Sequence, residues 1–282
     1  MSENQKLPIV LVFAGNDPTG GAGMQADIET LASMGCHAAP AITAITVQDT
    51  QNVTGYYPMD LSMIVEQARS VLEDMPIAAI KIGMLGSVEG VEAVSTILQD
   101  YPNVPVVFDP ILVAGGGTPL ADDEMANAMC SLLIPKSTVL VPNSNEARAL
   151  AKEADTLDAC AQELMDMGAE YVLVTGSHEQ TEKVDNIFFG NNRILDTFSW
   201  DRLPNQYHGS GCTLASAIAG LLAQGLDPLS AVHEAQEFTW KSLEAGYRAG
   251  MGQFLPDRFF WAQSVEDADE VEGREDAEGN AE

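Results

Sequence analysis

Six short apolar runs rich in Val, Ile and Ala recur along the chain, at residues 8–14, 38–47, 77–83, 104–109, 138–142 and 171–175. Near-continuous apolarity over so few residues describes strands covered on both faces, as in a parallel sheet. Amphipathic stretches between them, at about 20–34, 60–75, 87–100, 122–134, 144–152, 157–168, 211–224 and 228–248, supply the covering helices. The pair 184–190 and 193–199, separated by Asn191-Asn192, reads as an antiparallel hairpin within that pattern. The expected fold is therefore α/β, three layers deep, with a mostly parallel central sheet. No Pro-, Gly- or Ser-rich linker interrupts residues 8–260 and no internal repeat is visible, so residues 1–262 read as one domain.

Charge narrows the partners. The 282 residues carry 42 Asp and Glu against 13 Lys and Arg, a formal net charge of −29. That excludes a general nucleic-acid binder, which needs clustered Lys and Arg for phosphate contacts, and argues against an anionic membrane surface. Residues 265–282 hold nine acids and one Arg, and residues 263–282 are expected to form an acidic disordered tail with too little apolar surface to order itself. The four cysteines, Cys36, Cys130, Cys160 and Cys212, form no CxxC pair, so neither a disulfide framework nor a structural zinc site is expected. The polar N-terminus and the short apolar run after it offer no membrane span or convincing signal peptide, and the expected location is the cytoplasm.

In open α/β sheets ligands bind beyond the carboxyl ends of the strands. The unusual residues fall at those ends: Gly15-Asn16-Asp17, Gly83-Met84, Asp109-Pro110 and Pro142-Asn143. One cleft should gather these distant segments. Gly209-Ser210-Gly211-Cys212 opens a helix, where successive N–H groups form an anion site and the helix dipole would favour a Cys212 thiolate. The alternative is an ordinary glycine-rich turn with an inert cysteine. The stretch 14–27 is also glycine-rich, but it has neither GxGxxG spacing nor a Walker A lysine, so no nucleotide-phosphate loop is expected there. Asp27 in that stretch reads either as a substrate acceptor or as a surface acid. Asn143 and Glu146, three apart at a strand-to-helix junction, suit the outer sphere of Mg²⁺ or, equally in kind, a helix cap.

Taken together, AGNDPTGGAGMQAD, AITAITVQDT, IKIGMLGS, FDPILVA, VPNSNEA and HGSGCTLASAIA, in that order over residues 8–245, resemble the hydroxymethylpyrimidine/phosphomethylpyrimidine kinases of the ribokinase-like superfamily. The resemblance implies ATP-dependent phosphorylation of 4-amino-5-hydroxymethyl-2-methylpyrimidine and then of its monophosphate, in thiamine biosynthesis, by a homodimer using Mg²⁺. It implies a pyrimidine pocket of Gly15, Asp27, Gln48, Met84 and Ile111, with Asp27 and Gln48 meeting the ring edge and Met84 and Ile111 its faces. Asn143 and Glu146 match the family's NxxE motif for Mg²⁺, against the cap reading. Gly209, Ser210, Gly211 and Cys212 match its anion hole, with Cys212 as the base for the attacking hydroxyl.

Two departures stand out. Where relatives often read AKSGDPL and VKGGH, this chain has Ala114-Gly115-Gly116-Gly117-Thr118-Pro119-Leu120 and Val174-Thr175-Gly176-Ser177-His178. Both lysines are absent, so Mg²⁺, Lys81 or helix N-termini must take over any phosphate neutralisation. Competing readings are a pyridoxal kinase, which Gln48 and Met84 disfavour, and a non-catalytic pyrimidine-binding regulator.

Overall fold

The computed structural model describes residues 7–262; the expected acidic tail, 263–282, lies outside them. Nine strands form one sheet: β1 (Ile9–Asn16), β2 (His37–Gln48), β3 (Val53–Pro58), β4 (Ile77–Ile82), β5 (Val106–Phe108), β6 (Val139–Leu140), β7 (Tyr171–Val174), β8 (Lys183–Gly190) and β9 (Arg193–Asp201). Their spatial order is β3-β2-β1-β4-β5-β6-β7-β8-β9. The central six pair in parallel, and β3, β8 and β9 add antiparallel edges. All six expected parallel strands form, and Asn191 and Asn192 turn the hairpin with φ of 52° and 55°, the left-handed pair a tight two-residue turn requires. β3 was not foreseen; its VTGYYP run is short and broken by Gly55, and it pairs only with the end of β2.

Eight helices cover the sheet: α1 (Gly23–Ser33), α2 (Leu61–Asp74), α3 (Val88–Asp100), α4 (Asp123–Leu132), α5 (Ser144–Leu150), α6 (Leu157–Asp166), α7 (Ser210–Ala223) and α8 (Pro228–Glu244). Alternate residues of one strand serve opposite layers. Leu11 and Phe13 of β1 pack with α2–α6, while Val10, Val12 and Ala14 pack with α1, α7 and α8. That is why the strands read as apolar throughout. None of the helices in residues 7–262 is long and apolar enough to cross a membrane.

β5 and β6 are shorter than the apolar runs that announce them, because Pro110 and Pro142 follow closely and lack the N–H that would extend a ladder. The chain leaves the sheet there, and the polar residues just beyond are free to line a cleft.

Candidate functional site

A cleft of about 910 Å³ runs along the carboxyl ends of the strands, large enough for two small ligands. Gly15, Gln48, Met84 and Ile111 line one end of its wall, and Asn143, Glu146, Gly209, Ser210, Gly211 and Cys212 line it further along. Gly15 and Gln48 lie at the ends of β1 and β2, Met84 and Ile111 just past β4 and β5, Asn143 and Glu146 at the start of α5 after β6, and residues 209–212 at the start of α7. Gly15 lies flat against Met84: a Cβ there would sit 3.2 Å from the Met84 sulfur, so any side chain would push the methionine into the pocket.

Asp27 is not on that wall. It is fully buried between β4 and α7, where Lys81 Nζ lies 2.9 Å from Oδ1 and Ser216 Oγ donates to Oδ1 at 2.6 Å. Its place in the pyrimidine pocket is corrected accordingly: both carboxylate oxygens are committed inward. The same pair removes Lys81 as a phosphate neutraliser. Burial works against its charge, but the Asp27, Cys212 and Asp109 charges outweigh that and hold its pKa above the usual lysine range.

Asn143 and Glu146 form a capping box at the start of α5. Asn143 Oδ1 accepts from the N–H of Asn145 and Glu146, and Glu146 Oε2 accepts from the Asn143 N–H at 2.9 Å. The local cap is thus real, and it fixes Glu146 inward rather than onto the surface. Glu146 is buried, and burial, followed by the nearby Asp109 charge, pushes its pKa up to about 8 against the pull of the Asn143 and Leu112 N–H groups. Asp109, just past β5, is raised to about 6 by burial, with Lys81 opposing and Asp27 adding to the rise. Its Oδ2 is buried without a hydrogen-bond partner. Two buried carboxyls close enough to raise each other's charge cost, with an unpaired oxygen on one, suit a small hard cation. Among the described residues no three His, Cys, Asp or Glu are grouped to hold a metal ion.

The start of α7 is held by backbone contact between two glycine-rich segments. Gly209 caps the helix at φ 83°, and a Cβ on it would lie 1.9 Å from the Gly21 carbonyl oxygen. Gly21 and Gly23 therefore serve close packing of the segment after β1. Arg258 fastens the same junction: it is buried, and donates to the Gly20 and Gly21 carbonyls, to Thr213 Oγ1 and to Glu29. Asp17 bridges the segments too. It accepts from the Thr19 and Ala22 N–H groups and meets His208 Nε2 at 2.8 Å. Burial would raise the Asp17 pKa, but the His208 and Thr19 hydrogen bonds bring it below the ordinary carboxylate value.

Cys212 sits in the first turn of α7, yet the expected thiolate is overturned. Burial, with the Asp109 and Asp27 charges adding and Lys81 opposing, pushes the thiol up to about 12. The helix-start effect is too small to reverse that. It lies near enough to Asp109 for the two to perturb each other's protonation.

Four participants were not assigned from sequence. Asp109 was visible only as an acid closing an apolar strand. Arg202 is the one Lys or Arg among the described residues lining the cleft, and it donates to the Ser177, Glu179 and Thr181 carbonyls. Trp200 and Trp240 stack at 6.2 Å between ring centres and give the far end of the cleft a flat apolar wall. A tryptophan pair forty residues apart carries no local signal.

The family model described as phosphomethylpyrimidine kinase matches residues 17–257. A hydroxymethylpyrimidine/phosphomethylpyrimidine kinase of Haemophilus influenzae is 36% identical over 251 residues, covering 86% of this chain and 93% of that protein. A chloroplastic thiamine biosynthetic bifunctional enzyme of Arabidopsis thaliana is 36% identical over 247 residues; the match covers 85% of this chain but only 47% of that longer protein. Among solved structures, a Staphylococcus aureus pyridoxal kinase in complex with ADP superimposes with a TM-score of 0.83 at 28% identity, covering 90% of this chain and 94% of that one.

Proposed function

Because the chain belongs to the phosphomethylpyrimidine kinase family, we propose that it transfers the γ-phosphoryl group of ATP to 4-amino-5-hydroxymethyl-2-methylpyrimidine and then to the resulting monophosphate. The observation that carries the reading is the cleft itself, in which a Gly15–Gln48–Met84–Ile111 pocket and the glycine-capped start of α7 face one space. We assign the activity to residues 1–262 and propose a cytoplasmic location and a homodimer, which the kinship supports without showing. The match to the bifunctional relative spans about half of its length, and its other activity is not carried over.

In the pocket, Gln48 offers both a donor and an acceptor to an aminopyrimidine edge, while Met84 and Ile111 pack on the ring. The acceptor hydroxymethyl oxygen attacks the γ-phosphorus in line, ADP leaves, and the N–H groups of residues 209–212 stabilise the charge on the transferring oxygens. The hydroxyl proton goes to the Cys212–Asp109 pair: a thiol held protonated accepts a proton only as it gives its own to the carboxylate beside it. Glu146, with Asn143 through water, would hold Mg²⁺, which would supply charge neutralisation and alignment of the phosphates, and Asp109 is kept for the proton. Trp200 and Trp240 offer stacking surface for the adenine, and Arg202 the nearby cation.

Cys212→Ala is expected to lower kcat at least ~100-fold, the low end for losing a general base, with nucleotide affinity retained. Near-normal turnover in that variant would remove Cys212 from the role. ADP release on adding the pyrimidine with Mg·ATP tests the activity as a whole, and silence in that assay would favour the regulator.

A further inference from the structure

In its second step a kinase of this kind must admit a phosphomonoester beside Mg·ATP, into a cleft whose wall carries Asp17, Asp109, Glu146 and Asp201. Arg202, assigned above to the nucleotide, is clamped over the 177–181 carbonyls. One further cleft group has a free donor position on the acceptor side. His208 lies immediately before the Gly209 cap, with its ring between Asp17 and Gly115 and packed on Gly21. Asp17 Oδ2 holds its Nε2 at 2.8 Å, which fixes the ring's orientation. Its Nδ1 has no hydrogen-bond partner among the described residues. It faces the backbone at Gly115, where a Cβ would lie 3.5 Å from Nδ1 and 3.2 Å from Gln253 Oε1.

We propose that His208 binds the phosphate of the phosphorylated acceptor, donating Nδ1–H while Asp17 keeps Nε2–H. This rests on the kinase reading above. In the first step the reacting group is a neutral hydroxyl and there is no phosphate to hold. In the second, the acceptor's own phosphate must approach the start of α7, and His208 immediately precedes the Gly209 cap. An imidazole whose far nitrogen is held by a carboxylate is a donor oriented before the ligand arrives. The groups around the ring favour that assignment. Asp17 faces it from the loop after β1, Gly115 and Gly21 pack on it without charge, and Arg258 with Glu29 sits behind the Gly20 and Gly21 carbonyls. His208 thus supplies locally what this acidic chain lacks in lysine.

The test is His208→Gln in the full-length enzyme, since glutamine keeps an N–H for Asp17 but loses the charge and the second donor. KM and kcat are measured for the pyrimidine alcohol, for its monophosphate and for Mg·ATP. The expected result is a KM for the monophosphate raised about tenfold or more, the scale of one charge-assisted hydrogen bond. First-step kcat/KM and the KM for Mg·ATP should stay within about twofold. An unchanged second-step KM overturns the proposal. So does an equal loss in both steps, which would make His208 only a tie between loops, and so does a raised KM for Mg·ATP, which would assign it to the nucleotide. A wild-type enzyme that phosphorylates no pyrimidine alcohol overturns the kinase reading, and is recognised before any variant is made. Should His208→Gln fail to fold, His208→Asn is judged by the same criteria.

Discussion

Gly209 shows how much a single position can decide. Its left-handed backbone and the Gly21 carbonyl against it leave no room for a methyl group. Gly209→Ala should cost about 1–3 kcal/mol in backbone strain, more if the Gly21 segment cannot give way. In a domain of this size that lowers Tm by roughly 2–10 °C, and kcat should fall with it because the N–H groups of the anion site move. A thermal melt with an unchanged Tm would show that the junction is looser than the contact implies. Residue identities here were legible in sequence only where the backbone demanded them. The glycines and the strand-end positions were found; Asp27 was misplaced, because its partner Lys81 lies 54 residues away and nothing local distinguishes a buried acid from a cleft acid. Cys212 was found but its protonation was misjudged, since a helix-start argument contains no burial.

At the scale of elements, the carboxyl pair joins the end of β5 to the start of α5. Both groups hold protons more tightly in the fold than in an unfolded chain. Their contribution to stability is therefore fully present below about pH 4 and is lost as pH rises through about 6 for Asp109 and about 8 for Glu146. Across that window the protein without divalent cation should lose on the order of a few kcal/mol, and millimolar Mg²⁺ at pH 8 should restore much of it. Melting curves from pH 5 to 8.5, with and without Mg²⁺, check this; a Tm independent of both would separate the pair from any cation role. The elements themselves were readable because the β1 and β4–β7 strands are buried on both faces and the helices between them are amphipathic. β3 escaped because a short edge strand paired to the exposed end of β2 needs no apolar run.

Over the whole molecule, a net charge of −29 opposes the approach of Mg·ATP. Arg202 is the one Lys or Arg among the described cleft residues, so long-range steering cannot help binding. Added salt up to moderate concentration should leave the KM for Mg·ATP unchanged or lower it by screening that repulsion. A steep rise with salt would reveal attraction that the cleft wall does not account for. The mostly parallel sheet, and so a cleft beyond its carboxyl strand ends, followed from sequence; the order of the strands did not. What did not follow was the latch at Arg258, which joins the end of the domain to both glycine segments and can be recognised only once they are adjacent. The fold is shared with pyridoxal kinases, so the pocket rather than the architecture must choose the acceptor. Steady-state kcat/KM for the hydroxymethylpyrimidine and for pyridoxal, measured in parallel with Mg·ATP on one preparation, puts that choice to the test. The Gln48–Met84–Ile111 pocket predicts the higher value for the pyrimidine, with mono- and diphosphate products; a higher value for pyridoxal would contradict it.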